Sequence, residues 1–354
     1  MVATRRIRLD GDRHRTALLQ SVVRPKGGRD YSPMIAERIF MSMFQTSSQT
    51  VLPRRQVLDG AGLRGWFAKY ASQVAVSPSI AIVLIAVYGF MVWTGVVSFT
   101  ASKMLPNYNF VGFDQYVRLW SNPIWRIAVS NIFTFGLLFI SISTLVGLAL
   151  AILIDQRIRI EGFFRTIYLY PMALSFIVTG TAWKWILNPG LGIERLVHLW
   201  GWESFRFDWL INPQYAIYTL VIAGVWQSSG FVMALFLAAL RGIDEDIIKA
   251  ARLDGANGIA VYRRIIIPQL GPTFLTVLVI LTQQAVKSFD LVVALTAGGP
   301  GNSTHLPATF MYTQTFGRDQ MAVGAASAVM IFMTVAAIVV PYLYSDLRNQ
   351  RDDV

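Results

Sequence analysis

Apolar and polar positions segregate along this chain on a scale much longer than one helical turn. Six mostly apolar stretches, at about 78–99, 127–154, 166–187, 215–240, 273–295 and 321–344, are separated by polar segments. About 20 apolar residues carry a helix across the hydrocarbon core of a bilayer, and none of the six has the polar face of a soluble amphipathic helix. The pattern predicts an all-α membrane protein with six transmembrane helices over 77–346. A basic, mostly disordered arm over 1–76 precedes them and a short tail over 347–354 follows. The first apolar run begins too far from residue 1 to read as a cleaved signal, so it is expected to stay in the protein.

The polar segment at 241–272 is more patterned than a connector requires. Asp244, Glu245 and Asp246 suit the positive N-terminus of a short helix through Ala250 and Ala251, with Ile247 and Leu253 on an apolar face. Gly255 suits a sharp reversal, and Asp254 is placed to cap the next turn. A second short helix is predicted over 261–266, stopped by Pro268 before the fifth span. From the residues alone, this segment reads equally as an ordinary amphipathic connector or as a surface built to dock onto a partner.

Charge decides which way it faces. Segments 1–77, 155–165 and 241–272 and the tail after 344 hold twenty-three Lys and Arg, against six in the alternate segments. Basic residues favour the cytoplasm, so both termini and the 241–272 loop are expected inside.

The formal net charge of +11 sits mostly before the first apolar run, in an arm that reads as a solvated tail before it reads as a contact for anionic lipid, and in a membrane protein that distribution does not point to nucleic-acid binding. A mean hydropathy of +0.49 agrees with the membrane class. There is no cysteine, and His14, His198 and His305 are far apart, so thiol chemistry is excluded and neither a metal site nor a cofactor is expected. No Gly-x-x-x-x-Gly-Lys-Ser/Thr phosphate loop occurs, so any ATP hydrolysis must come from another polypeptide and the chain itself is not an enzyme.

Polar residues inside spans are costly, which makes them candidates for function. Gln227, Ser228 and Ser229 lie beside Trp226 in the fourth span. Gln283, Lys287 and Asp290 recur at helical spacing in the fifth, with Gln284 and Ser288 on the adjoining face. Amides, hydroxyls, a carboxylate and an aromatic ring suit a carbohydrate. Each residue taken singly reads equally as an interhelical hydrogen bond.

The run Ala250-Ala251-x-x-Asp254-Gly255-Ala256, followed by Ile265-x-Ile267-Pro268-x-Leu270-x-Pro272, resembles the signature EAA loop of permease subunits of ATP-binding-cassette importers. Leu295-Thr296-Ala297-Gly298-Gly299-Pro300, then Ser303-Thr304 and Tyr312, is similar to the carbohydrate permeases of maltose-transporter type. Residues 305–312 look most like the α-glucoside branch.

The resemblance covers about residues 75–350 and implies a type I importer permease in the cytoplasmic membrane, with Lys249, Ala250, Ala251, Asp254, Gly255, Ala256, Ile265, Pro268, Leu270 and Pro272 forming the ATPase-coupling loop. It also implies a second permease subunit, two cytoplasmic ATPase subunits and an extracytoplasmic solute-binding protein as partners. Substrate-lining positions carried over from the family fall on or near Gln227, Ser228, Phe231, Gln284, Ser288 and Asp290. The family usually has an acidic residue where this chain has Lys249, so the partner ATPase is expected to offer a compensating acidic group. Importers of glycerol phosphate or a polyol remain the alternative within the class. An ion-coupled transporter using Lys287 and Asp290 is the alternative outside it.

Overall fold

The computed structural model describes residues 76–156 and 160–352. The expected basic arm lies outside the described residues except for Val76. Two compact units divide at Ile80 and Ala81, and the architecture below is that of the second. Apart from one isolated bridge between Thr100 and Phe110, the described residues are helices and their connections.

Helix α1 (Val76–Val97) is followed by α2 (Asp114–Ser121) and the long α3 (Pro123–Asp155). Asn122 begins α3, its Oδ1 accepting from the Ile124 N–H at 2.9 Å with Pro123 in the first turn. That cap sets the start of the second span, earlier than its apolar run implies.

The third span is not one helix. α4 (Glu161–Leu169) passes into a tight turn at Tyr170–Ala173, and α5 (Phe176–Ile186) leaves at 102°. Pro171 cannot donate a backbone hydrogen bond, and Ser175 opens the new helix by accepting from Val178 N–H at 3.4 Å. A short helix α6 (Ile193–Leu199) leads to α7 (Ala216–Leu240).

α8 (Glu245–Leu253) and α9 (Gly258–Gln269) occupy the patterned loop. The helix expected to stop at Pro268 instead runs through it to Gln269, by way of a widened π turn at Tyr262–Ile266. The break comes at Leu270, where α10 (Gly271–Val286) turns off at 63°. Pro272 in the first turn of α10 cannot donate to Pro268, so the regular helical ladder is interrupted at the corner.

The fifth span also ends early. α11 (Phe289–Leu295) follows a break at Lys287 and Ser288 that no proline or glycine announces. The cause is tertiary: α11 lies along α5, where a Cβ on Gly180 would stand 2.7 Å from Ala294 Cβ and 3.2 Å from Leu291 O. Finally, α12 (Pro307–Tyr312) continues as a π turn over Thr313–Gly317 and packs on α13 (Met321–Asp352). α13 stays helical to Asp352, into the short tail expected over 347–354. By length and composition, α1, α3, α7 and Met321–Pro341 of α13 can each cross a membrane, and the two bent pairs bring the spans to as many as six.

α7 is the central helix, with 67% of its most apolar window buried against 28% for α3 and 6% for α1. It packs chiefly on α3, joined by Phe135, Phe139, Met233 and Phe236 in one apolar cluster with Leu281 and Leu291. Polar side chains on α7 are therefore held inside the bundle.

Candidate functional site: a docking loop and a polar string

The docking candidate is built by a turn whose spacing accounts for its motif. Asp244 caps α8, its Oδ1 accepting from Asp246 N–H at 2.9 Å. At the other end, Ala256 N–H donates to Ala251 O at 3.0 Å and Gly255 N–H to Arg252 O at 3.1 Å. Those two bonds make a Schellman turn, which needs a left-handed residue between them, and Gly255 supplies it with φ +83°. Ala251 and Ala256 both pack against the core cluster, so the methyl groups on either side of the turn anchor it. The next helix is capped by Asn257, whose Oδ1 accepts from Ala260 N–H at 2.8 Å. Asp254 was expected in that role; it sits instead at the C-terminus of α8.

The tip of this loop is apolar and open. Leu253 is 89% exposed and Ile259 79% exposed, one on each side of the turn, with Arg252, Arg263 and Arg264 exposed around them. Ala250, Pro268 and Asp254 are exposed as well, while Ile265 is half-buried and Leu270 is in the core. Lys249 lies on the exposed face of α8, its Nζ 2.9 Å from Asp246 Oδ1 and 3.7 Å from Glu245 Oε2. Its charge is balanced within its own helix.

Between α7 and α10 the intramembrane polar residues form a short string. The Ser228 hydroxyl donates to Gln284 Oε1 at 2.9 Å, and the Ser288 hydroxyl donates to Gln284 O at 2.8 Å. Gln227 points elsewhere: its Nε2 donates to Leu174 O at 2.8 Å, satisfying a carbonyl freed where the third span breaks. Phe231 is half-buried and Asp290 is exposed, and neither joins the string through a described hydrogen bond or ring contact. Among the described residues no ion pair links Lys287 to Asp290; both are exposed near the break between α10 and α11. Trp226 stands edge-on to Trp183, ring centroids 5.9 Å apart.

The segment after α11 is ordered by its own motif residues. Thr304 Oγ1 donates to Gly299 O at 2.8 Å and lies 2.8 Å from Thr296 Oγ1. Asn131 of α3 donates to Ser303 O at 2.7 Å and His305 O at 3.0 Å, fixing the segment to the bundle. His305 covers Gly298, where a Cβ would lie 2.8 Å from the ring. Burial, with Arg318 nearby, holds the His305 pKa below its ordinary value.

Asn257, Ile259 and Asn131 escaped the sequence reading. Asn257 was findable as an N-cap before a short apolar run, and Asn131 as a polar residue inside a span. Nothing in the sequence marks Ile259 as outward-facing.

Residues 143–351 match the family model described as binding-protein-dependent transport system inner membrane component. A probable ABC transporter permease of Pyrococcus horikoshii is 40% identical over 77% of this chain and 94% of its own length. A xylose/arabinose import permease of Haloferax volcanii is 37% identical over 75% of this chain and 84% of its own. In structure, a chain of a bacterial ABC transporter that imports the acidic polysaccharide alginate aligns with a TM-score of 0.68 at 21% identity, covering 81% of this chain and 99% of that one. The chain belongs to the binding-protein-dependent transport system inner membrane component family, the multi-pass permeases of ABC importers.

Proposed function

We propose that this chain is the permease subunit of an importer that carries a carbohydrate across the cytoplasmic membrane, driven by an ATPase docked on the α8–α9 loop. The observation that carries this reading is the loop itself: a rigid Schellman turn that holds Leu253 and Ile259 out of the core on the face that charge places in the cytosol. An apolar tip of this kind costs solubility unless a partner covers it. Both termini then lie inside. The importer comprises this chain, a second permease subunit, two ATPase subunits and an extracytoplasmic solute-binding protein.

The carbohydrate assignment rests on Ser228, Gln284 and Ser288, hydroxyl and amide groups gathered at the junction of α7 and α10, and on a pentose-import permease among the relatives. Phe231 on α7 and Asp290 on α11 flank that string and complete the proposed pathway, while Gln227 borders it with its amide held by the Leu174 carbonyl.

Uptake of radiolabelled xylose, arabinose, glucosides and glycerol phosphate in a strain lacking the native gene tests the assignment. Gln284→Ala is expected to raise the KM for the carried sugar at least about tenfold, a loss near 1.4 kcal/mol. The Ser228 hydrogen bond that this change removes is worth only about 0.6 kcal/mol in a membrane interior, so the protein should still assemble in normal amounts. An unchanged KM removes Gln284 from the pathway. Uptake of glycerol phosphate alone selects the polyol-phosphate reading.

Glu245 and Asp246 already meet the Lys249 ammonium group within α8, which favours an ATPase surface without a dedicated acidic partner for it. Lys249→Ala is expected to change ATPase affinity by no more than about fivefold, the ceiling of an exposed pair at ~1 kcal/mol. Titration of purified ATPase onto reconstituted permease measures it, and a larger loss restores a direct contact.

A further inference from the structure

We propose that Arg241 is a positioning residue for transport: it clamps the stem of the docking loop to the first half of the broken third span, so that movement of the loop is passed to that span. The proposal rests on the docking reading above.

Arg241 is the residue that follows α7 and leads into the docking loop. Its Nη2 donates to Glu161 Oε2 at 2.8 Å, and its Nε stands 3.8 Å from Asp155 Oδ1. Arg165 Nη2 takes the other Glu161 oxygen at 2.9 Å. Two acids and two arginines thus join the end of α3, the start of α4 and the end of α7. The hydrogen bond to Glu161, together with the charges of Glu161 and Asp155, raises the Arg241 pKa above its ordinary value. A carboxylate with an arginine on each oxygen is held in direction as well as distance. The cluster is partly exposed, so its worth lies in orientation more than in stability.

The same two elements are fastened twice more. Gly230 of α7 lies directly against the Tyr168 carbonyl of α4, and Gln227 holds Leu174 just past the end of α4. From Gln227 to Arg241 the fastened stretch of α7 is about 21 Å long at 1.5 Å per residue. Removing the charged end frees the part nearest the docking loop while leaving the buried part in place. At the far end of the loop, by contrast, the chain turns by 63° at Leu270 into α10, which makes that corner the natural place for bending.

Amide hydrogen exchange, read by mass spectrometry on the assembled importer in lipid nanodiscs, tests the clamp. In the wild type, trapping Mg-ATP with vanadate should change exchange in both α8 and α4. In Arg241→Gln, α4 should exchange at least about tenfold faster without nucleotide, α10 and α13 should be unaltered, and the vanadate response should be confined to α8. Arg241→Lys, which keeps the charge, should restore most of the α4 response. An α4 response in Arg241→Gln equal to wild type overturns the proposal, and so does an equal rise in exchange across α10 and α13, which marks a general folding defect. The amount of ATPase bound is measured in the same preparations. If wild type binds none, the docking reading fails, and the nucleotide-free comparison still judges the clamp.

Discussion

Replacing Leu253 by Asp is expected to abolish association of the ATPase while leaving the permease folded. Leu253 is 89% exposed and belongs to neither apolar core cluster among the described residues, so its removal costs the fold little. In the docked state it is the most prominent apolar group at the tip of the loop. Burying a leucine contributes about 1.5–3 kcal/mol, and forcing an unpaired carboxylate into the same place costs several kcal/mol more. The sum corresponds to an affinity loss of at least about a thousandfold. Co-purification of the ATPase with tagged permease, judged against the amount of monodisperse permease recovered, measures it. Leu253→Met keeps an apolar side chain of similar volume and should bind nearly as well as wild type. If Leu253→Asp retains the ATPase, the tip is not the contact, and the apolar exposure at Leu253 and Ile259 needs another partner.

That tip shows where reading the sequence succeeded and where it stopped. The number of apolar segments, the all-helical class and the presence of a patterned loop were legible, because each depends on local composition and period. The loop motif was legible as a pattern, but its cause was not. The spacing of Ala251, Gly255 and Ala256 is that of a Schellman turn, a backbone hydrogen-bond arrangement that periodicity does not report. The breaks were legible only in part. Pro171 and Pro272 stand at two of them and could have been read as such, whereas the break at Lys287 and Ser288 follows from α11 packing along α5 at Gly180. For the polar residues, the sequence could place Gln227, Ser228, Gln284 and Ser288 inside spans. It could not tell that Gln227 is committed to the carbonyl of Leu174 while the other three share one string. Which way a polar side chain turns from a buried helix depends on which neighbours have broken, and that is a tertiary fact.

Gly230 brings the same distinction to a measurable end. By helix propensity alone, Gly→Ala in the middle of α7 should stabilise by about 1 kcal/mol. In the bundle, a Cβ at Gly230 runs into the backbone carbonyl of Tyr168, and the Cβ itself is fixed by the backbone of α7, in helices already fastened by Gln227 and Arg241. Neither can rotate away as a flexible side chain would. Overpacking of this kind costs about 1–3 kcal/mol or more, which outweighs the propensity gain. It also pushes α4 off α7 beside the Leu174 carbonyl that Gln227 must reach. With the clash at the upper end of that range, about 2 kcal/mol remains after the propensity gain, so Gly230→Ala is expected to lower the thermal midpoint of the detergent-purified permease by about 4–8 °C, given roughly 2–4 °C per kcal/mol for a domain of this size, with uptake reduced in parallel. Gly136→Ala in α3 is the matched control: it is also a glycine inside a long helix, but nothing lies within 4 Å of the position its Cβ would take, so the midpoint should hold or rise. If both substitutions move the midpoint the same way, propensity governs, and the close approach of α7 to α4 is not what fixes the broken span in place.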